Sequence, residues 1–442
     1  MGVDYMNYVL KNANIFDGKN NENIQKNMMV IIEDGKIKDI KQSNDDIGED
    51  YKVIDLKGQY LLPGLINLHA HLFGTGKPSK ALGGGSGQKL LVKFVNTSIG
   101  KPVIDSMVKK HVTSALNSGV TTIRSSGDFC FSDVRVRDKI NSGEIIGPRL
   151  IVPGPAITCV GGHGDGTFAV SNDDPNTLAE YVKSHKDKGV DYIKICVTGG
   201  VMDAKKKGEP GEVKMTLEQT KAVCDMAHRL GLKVASHTES SKGIEVALAG
   251  GVDTVEHGSF LDENLVQKFK ENNSAFIVTT SPALPLAKLS PNITKLNEMC
   301  VYNSNVILDG MVKGAKEALK NNIPVGLGTD ASCPLVTPYD MWREVYYFAE
   351  FYGVSNAFAI YTATLKNAQI LGIDDITGSI DVGKQADLIV VKENPLENLK
   401  SLRTVDMVMV GGKLIESPKY ERNEQIDEWL DSLSTQEVNV CL

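Results

Sequence analysis

Residues 61–71 read Leu61-Leu62-Pro63-Gly64-Leu65-Ile66-Asn67-Leu68-His69-Ala70-His71, an apolar run ending in two histidines one residue apart. Side chains alternate faces along extended backbone, so His69 and His71 point the same way from the end of one strand. Two imidazoles side by side make a platform for Zn²⁺, which takes nitrogen ligands in open catalytic sites. An exposed or hydrogen-bonded pair fits the same spelling, so the rest of the chain has to weigh in. The preceding apolar run favours the metal reading, because its burial drives both histidines to the strand's end.

Working outward, strands are expected at 64–69, 120–124, 149–152, 192–197, 233–237, 254–257, 275–279 and 325–330. Helical periodicity follows most of them, as at 178–188, 217–230 and 303–320. Eight βα units in roughly three hundred residues predict an α/β fold, a (β/α)8 TIM barrel. A doubly wound sheet is disfavoured, because Gly83-Gly84-Gly85-Ser86-Gly87 follows no strand and reads as a mobile loop. Outside the barrel, short alternating runs with hairpin turns, such as Val30-Ile31-Ile32-Glu33-Asp34-Gly35-Lys36-Ile37, occur near both termini. Neither end has strands enough to bury a core alone, which predicts one composite β-sandwich from residues 1–63 and 371–420. The barrel then spans 64–370, and 421–442 is a helical tail or oligomer contact.

The 442 residues carry a net charge of −7, 41% hydrophobic and 23% charged residues, a globular balance. Phosphate binding needs clustered Lys and Arg, so nucleic acid and anionic membranes are poor partners. The first residues lack a signal-peptide pattern, Met6 spoils Gly2 as a myristoylation site, and no run can span a bilayer. Seven cysteines without a CxxC pair read as reduced thiols of a cytoplasmic protein.

The remaining chemistry sits at expected strand ends, where a barrel builds its active site. In Asp191-Tyr192-Ile193-Lys194-Ile195 the isoleucines face the helices, which sends Lys194 into the barrel. A buried ammonium is costly. Two readings answer that cost: an ion pair, or reaction with CO₂ to an anionic carbamate that bridges two metal ions. His237 and His257 close successive strands and read as ligands of a second metal. Asp330 can bind metal and accept the proton of a bridging water whose pKa the metal lowers, then pass it to a leaving nitrogen. It could equally cap the next helix. Arg124 ends the second strand and fits either a substrate carboxylate, held bidentately, or a structural ion pair. His111, His185 and His228 lie in helical stretches and read as surface or packing residues.

The set His69-Ala70-His71, Lys194, His237, His257 and Asp330, with its Leu62-Pro63-Gly64-Leu65-Ile66-Asn67 lead-in, resembles the amidohydrolase superfamily. So does Gly378-Ser379-Ile380-Asp381-Val382-Gly383-Lys384-Gln385-Ala386-Asp387-Leu388. Asp191-Tyr192-Ile193-Lys194 and Gly161-Gly162-His163-Gly164-Asp165 resemble the branch of imidazolonepropionase-like proteins, Xaa-Pro dipeptidases, basic-residue carboxypeptidases and ochratoxin-type amidases. The resemblance implies two divalent ions, zinc, with His69, His71 and Asp330 on one and His237 and His257 on the other. A carbamate on Lys194 bridges them. It implies that His163 looks toward the substrate, although a turn residue in a Gly-rich loop fits as well. The implied reaction is amide cleavage in a dipeptide or N-acyl amino acid, by a metal-bridging hydroxide with Asp330 as base and then acid. The implied partner is a small-molecule substrate, and the implied assembly a homo-oligomer.

Other readings are opening of a cyclic amide, ring deamination, and a non-catalytic scaffold. The presence of Lys194 speaks against the deaminase, and the full ligand set against the scaffold. One departure is His237-Thr238-Glu239-Ser240, where dipeptidase-like members carry an aromatic residue. Specificity is expected in the loops 74–102, 161–176, 199–215 and 281–301, of which 199–215, with Lys205-Lys206-Lys207, could be a lid.

Overall fold

A computed structural model describes residues 6–44, 50–78 and 92–433. The readings of Gly2, of the Gly83–Gly87 loop and of residues 434–442 lie outside the described residues. The chain opens with β1 (Tyr8–Ile15), β2 (Gln25–Glu33), β3 (Lys36–Gln42), β4 (Lys52–Asp55) and β5 (Tyr60–Pro63). Between β2 and β3, Asp34 and Gly35 both take positive φ, 49° and 75°, as a two-residue hairpin turn demands.

Ten strands follow: β6 (Leu65–Ala70), β7 (Val120–Ser125), β8 (Arg149–Ile151), β9 (Ala156–Thr158), β10 (Ala169–Ser171), β11 (Ile193–Cys196), β12 (Val234–Thr238), β13 (Thr254–His257), β14 (Ala275–Val278) and β15 (Val325–Leu327). The chain closes its strand count with β16 (Leu388–Val391), β17 (Met407–Val410) and β18 (Lys413–Glu416).

The two chain ends meet where β5 runs antiparallel to β16, pairing Leu61 with Val390 and Leu62 with Ile389. Alternation then divides the strands' side chains between two cores. Leu61, Leu388 and Val390 join a small cluster with Leu10, Val30 and Met409. Leu62, Ile389 and Val391 turn the other way, into the large core shared with the barrel. Thus one period-2 pattern fastens the β domain to the barrel that it precedes.

The barrel strands are parallel, in runs β6-β7-β8 and β9-β11-β12-β13-β14-β15, with β10 on the outer side of β9. The third expected strand is split. Pro153-Gly154-Pro155 interrupts it, since proline cannot donate to a ladder, and the chain resumes as β9, which pairs with β11 through Ile157 and Ile195. Beside the break, Asp191 N donates to Val152 O at 2.8 Å.

The circle closes between the first and last strands. His69 O accepts from Thr329 N at 3.0 Å and Asp330 N at 2.7 Å, and Ala70 bridges Ala331. The last strand ends at Leu327, earlier than the expected residue 330, because the chain curls to bring Asp330 to a φ of 56°. Gly328 makes this approach possible, since a Cβ there would stand 2.4 Å from His69 Cβ and 2.6 Å from His69 N. Gly328→Ala is therefore expected to cost about 1–3 kcal/mol through overpacking, read as a lowered thermal midpoint. An unchanged midpoint would mean that the seam can widen freely.

The C-terminal helix Glu424–Asp431 lies against the barrel, burying Ile426 and Leu430. Arg343, on the helix Met341–Tyr352, reaches Asp427 at 3.3 Å and Asp431 at 2.7 Å. No helix among the described residues is long and apolar enough to cross a membrane.

Candidate metal centre

Two asparagines set the register of the closing seam. Asn67 accepts from His69 N and Thr329 N at 3.1 Å each, and donates to Thr329 Oγ1 at 2.8 Å. Asn367 donates to Ile66 O at 2.7 Å and Leu327 O at 2.9 Å, and accepts from Leu327 N at 3.0 Å. Together they fix where the end of β6 stands against the curl that carries Asp330. His69 on β6 and His71 just past its end are buried there, with 1% and 8% of their surface exposed.

Asp330 Oδ1 lies 3.2 Å from His69 Nε2 and 3.6 Å from His71 Nε2. Its other oxygen accepts from the Cys333 thiol at 3.3 Å. His71 Nδ1 donates to Gly127 O at 2.7 Å, which leaves Nε2 with its lone pair toward Asp330. Across the cavity, His257 Nδ1 contacts Thr279 Oγ1 at 2.7 Å and His237 Nε2 lies 3.3 Å from Gly199 O. His257 holds a φ of 66°, costly for a residue with a Cβ and a kind of strain that gathers at functional sites.

Burial sets the protonation of these groups. It pushes His69 down to about 4 and His71 down to about 3, and it holds His237 and His257 well below the ordinary histidine value. All four are neutral imidazoles at neutral pH, the form that binds metal. Burial works against ionised Asp330, yet the imidazoles of His69, His257 and His71 win and keep its carboxyl well below the usual range.

Among the described residues, four buried atoms here form no well-aligned hydrogen bond: His69 Nδ1 and Nε2, Asp330 Oδ1 and Glu239 Oε2. Buried polar atoms are rarely left so, and these are all metal-donor types. Two groups of donors converge, His69 with His71 and Asp330, and His237 with Glu239 and His257. Each group's donor atoms lie within 4.8 Å of one another, so the donor set fits a divalent ion in each.

Lys194, 2% exposed, extends beneath the two groups and forms an ion pair with Glu256. Burial pushes its ammonium down to about 7. Glu256 also receives Arg124 Nη2 at 2.8 Å, while Arg124 Nε donates to Leu68 O at 2.8 Å. Of the two readings of Arg124, the structure takes the ion pair. Its guanidinium is sealed in the barrel and borders the cavity at the opposite end, with Lys233, Asn273 and Pro324. Arg124 stands in that buried ion pair, away from the cavity that the metal-donor groups line.

His163 sits between β9 and β10 and lies flat on His237, with ring centroids 4.2 Å apart and planes 3° from parallel. Its Nδ1 is paired with Asp203, from the loop after β11, whose carboxylate also accepts from Gly200 N at 3.1 Å. His163 thus faces the same cavity as the metal-donor groups. That cavity measures about 630 Å³ and is walled by Phe73, Phe129, Phe168, Leu286, Ile307 and Met311.

The other histidines serve packing or the surface. His111 Nδ1 meets Gly74 O at 3.0 Å, His185 is held between Tyr181 O and Pro155 O at 2.8 Å each, and His228 pairs with Asp253 at 2.9 Å on the surface.

Glu256 and Asp203 escaped the sequence reading, and Glu239 entered it only as a departure from the dipeptidase pattern, with no role assigned. Glu239 stands two residues after His237, just past the end of β12, the same spacing as His69 and His71, so that spacing could have found it. Glu256 is a charge inside an apolar strand, a signal of burial with a partner. Asp203 carries no such signal, because its loop conformation is not periodic.

The profile of the amidohydrolase family matches residues 60–415, most of the chain. The chain belongs to the amidohydrolase family. It shares 35% of its sequence with a Bifidobacterium longum protein described as a prolidase, whose fold it matches with a TM-score of 0.85 over 97% of this chain and 99% of that one. A Xaa-Pro dipeptidase with methionine bound in its active site is 30% identical, with a TM-score of 0.80 over 93% and 100% of the two chains. Ochratoxinase of Aspergillus niger is 27% identical over 332 residues, 69% of this chain and 67% of that enzyme. This amidohydrolase is a hydrolase acting on carbon–nitrogen bonds, built on a TIM barrel with a β-sandwich from both chain ends.

Proposed function

We propose that this amidohydrolase cleaves the amide bond of a dipeptide or N-acyl amino acid with two zinc ions and a carbamate on Lys194. The observation that carries the reading is the pair of donor groups, with their unpartnered atoms, at the base of an apolar cavity. His69, His71 and Asp330 would hold one ion, and His237 and His257 the other. Bound there, divalent ions would polarise the amide carbonyl and bring a water's pKa toward neutrality.

The chain's own groups then manage protons and orientation. Asp330, its carboxyl held well below the usual range, accepts the proton of the attacking water and returns it to the leaving nitrogen. His163, oriented by Asp203 and stacked on His237, presents its ring to the substrate. The aromatic and aliphatic walls hold the apolar part of the substrate and exclude bulk water. On Lys194, the neutral amine adds to CO₂: an N–C bond forms, a proton leaves, and the anionic carbamate replaces the ammonium that burial disfavours. The relatives described as a prolidase and a Xaa-Pro dipeptidase support the dipeptide class.

The test is a screen of chelator-stripped, zinc-reconstituted protein against dipeptides and N-acyl amino acids varied at the C-terminal residue, beside cyclic amides and ring amines. Turnover of the linear amides is expected, to be lost on stripping and restored by zinc. Turnover confined to cyclic amides or ring amines would overturn the reading. Labelled bicarbonate followed by carbon NMR separately tests the carbamate, whose signal should vanish in Lys194→Ala.

A further inference from the structure

Glu239 follows His237 by two residues, one past the end of β12, as His71 follows His69 past the end of β6, and all four line the same cavity. Glu239 Oε2 is sealed from solvent and has no hydrogen-bond partner among the described residues, although the residue borders the cavity. The surrounding backbone leaves it room: a Cβ on Gly200 would lie 3.3 Å from Glu239 Oε2 and 3.5 Å from His237 Nε2. A bare glycine therefore faces the carboxylate and the imidazole.

We propose that Glu239 is a third protein ligand of the ion on the His237–His257 side, an inference that rests on the two-ion reading above. Its carboxylate and the two ring nitrogens lie within 4.8 Å of one another. Tetrahedral bonds of about 2.0–2.2 Å put donors on one zinc roughly 3.3–3.6 Å apart, so a closure of up to about 1.5 Å assembles the trio. Two histidines and a glutamate form a recognised donor set for zinc that keeps a position open for water or substrate. Charge supports the same assignment. Asp330 supplies a negative ligand on one side, whereas His237 and His257 are neutral, and Glu239 is the carboxylate placed beside them. Among the described residues Glu239 has no cation of its own, so a bound ion would resolve its burial.

The experiment titrates the chelator-stripped full chain with Zn²⁺ against a chromophoric chelator, and with Co²⁺ followed by visible absorption. Wild type, Glu239→Gln and, as a positive control, His237→Asn are compared. Wild type is expected to take two equivalents. Glu239→Gln should keep the first equivalent, which also reports intact folding, and bind the second at least about tenfold more weakly, with an altered Co²⁺ spectrum. Two equivalents bound by Glu239→Gln as in wild type would overturn the proposal. So would that result joined to a raised KM for substrates bearing a free amino group, which would make Glu239 a substrate contact. A single equivalent in wild type would overturn the two-ion reading itself and this proposal with it, and it is distinguishable because it appears before any substitution.

Discussion

Asp330→Asn is expected to lower kcat/KM by about 10²–10⁴, the range for losing a general acid–base group, while the fold is retained. The substitution isolates the charge. Asp330 sits at a φ of 56°, a left-handed conformation that asparagine adopts as readily as aspartate, and the side chains are nearly isosteric. An amide cannot take the proton of the attacking water, and it would be a weaker ligand for an ion shared with His69 and His71, whose Nε2 atoms lie 3.2 and 3.6 Å from Asp330 Oδ1. Rates should be measured with zinc content determined on the same samples, which separates a lost ligand from a lost proton carrier. Full activity at full metal content would remove Asp330 from the mechanism.

The largest effect on stability is expected from Glu256→Ala, roughly 3–5 kcal/mol, as for breaking a buried ion pair by removing one partner. Glu256 is fully buried and serves two cations at once, Arg124 and Lys194. Its removal leaves both charges inside the barrel with no carboxylate between them. The denaturant midpoint of metal-stripped protein is the measurement, so that binding does not mask folding. Adding Arg124→Met to Glu256→Ala should recover part of the loss, because one stranded charge is gone. A double variant no more stable than the single one would place the cost in the cavity rather than in the stranded charge. Activity should fall as well, since Glu256 Oε2 lies 3.2 Å from His69 Nδ1 and helps to set that ring's place.

The barrel strands were legible because burial on both faces makes each a short apolar run, and the Asp34-Gly35 hairpin because its turn needs two residues at positive φ. The metal-donor residues were legible for a related reason: a polar residue closing an apolar strand stands out against its surroundings. Pairing was harder to read. Lys194 admitted both an ion pair and a carbamate, since the Glu256 that meets it lies 62 residues away. Arg124 admitted a substrate or a structural partner, and its contact with Glu256 spans 132 residues. The break at Pro153-Gly154-Pro155 passed unseen, because β9 exists through pairing with β11, 38 residues on in Ile157 and Ile195.

By itself, then, the sequence determined the local grammar of this amidohydrolase: which runs are strands, and which donor types close them. Alternation and burial are properties of neighbouring residues, so they can be read without a partner. The tertiary structure decided which buried charges neutralise one another, which histidine stacks on which, and that Glu239 joins His237 and His257. Those outcomes depend on distances across the barrel between residues far apart in the chain, and a buried carboxylate takes its meaning from whatever stands within a few ångströms of it. The histidine pair at 69 and 71 belongs to both: its face was set by β-strand alternation, and its converging partner Asp330 by the closure of the barrel.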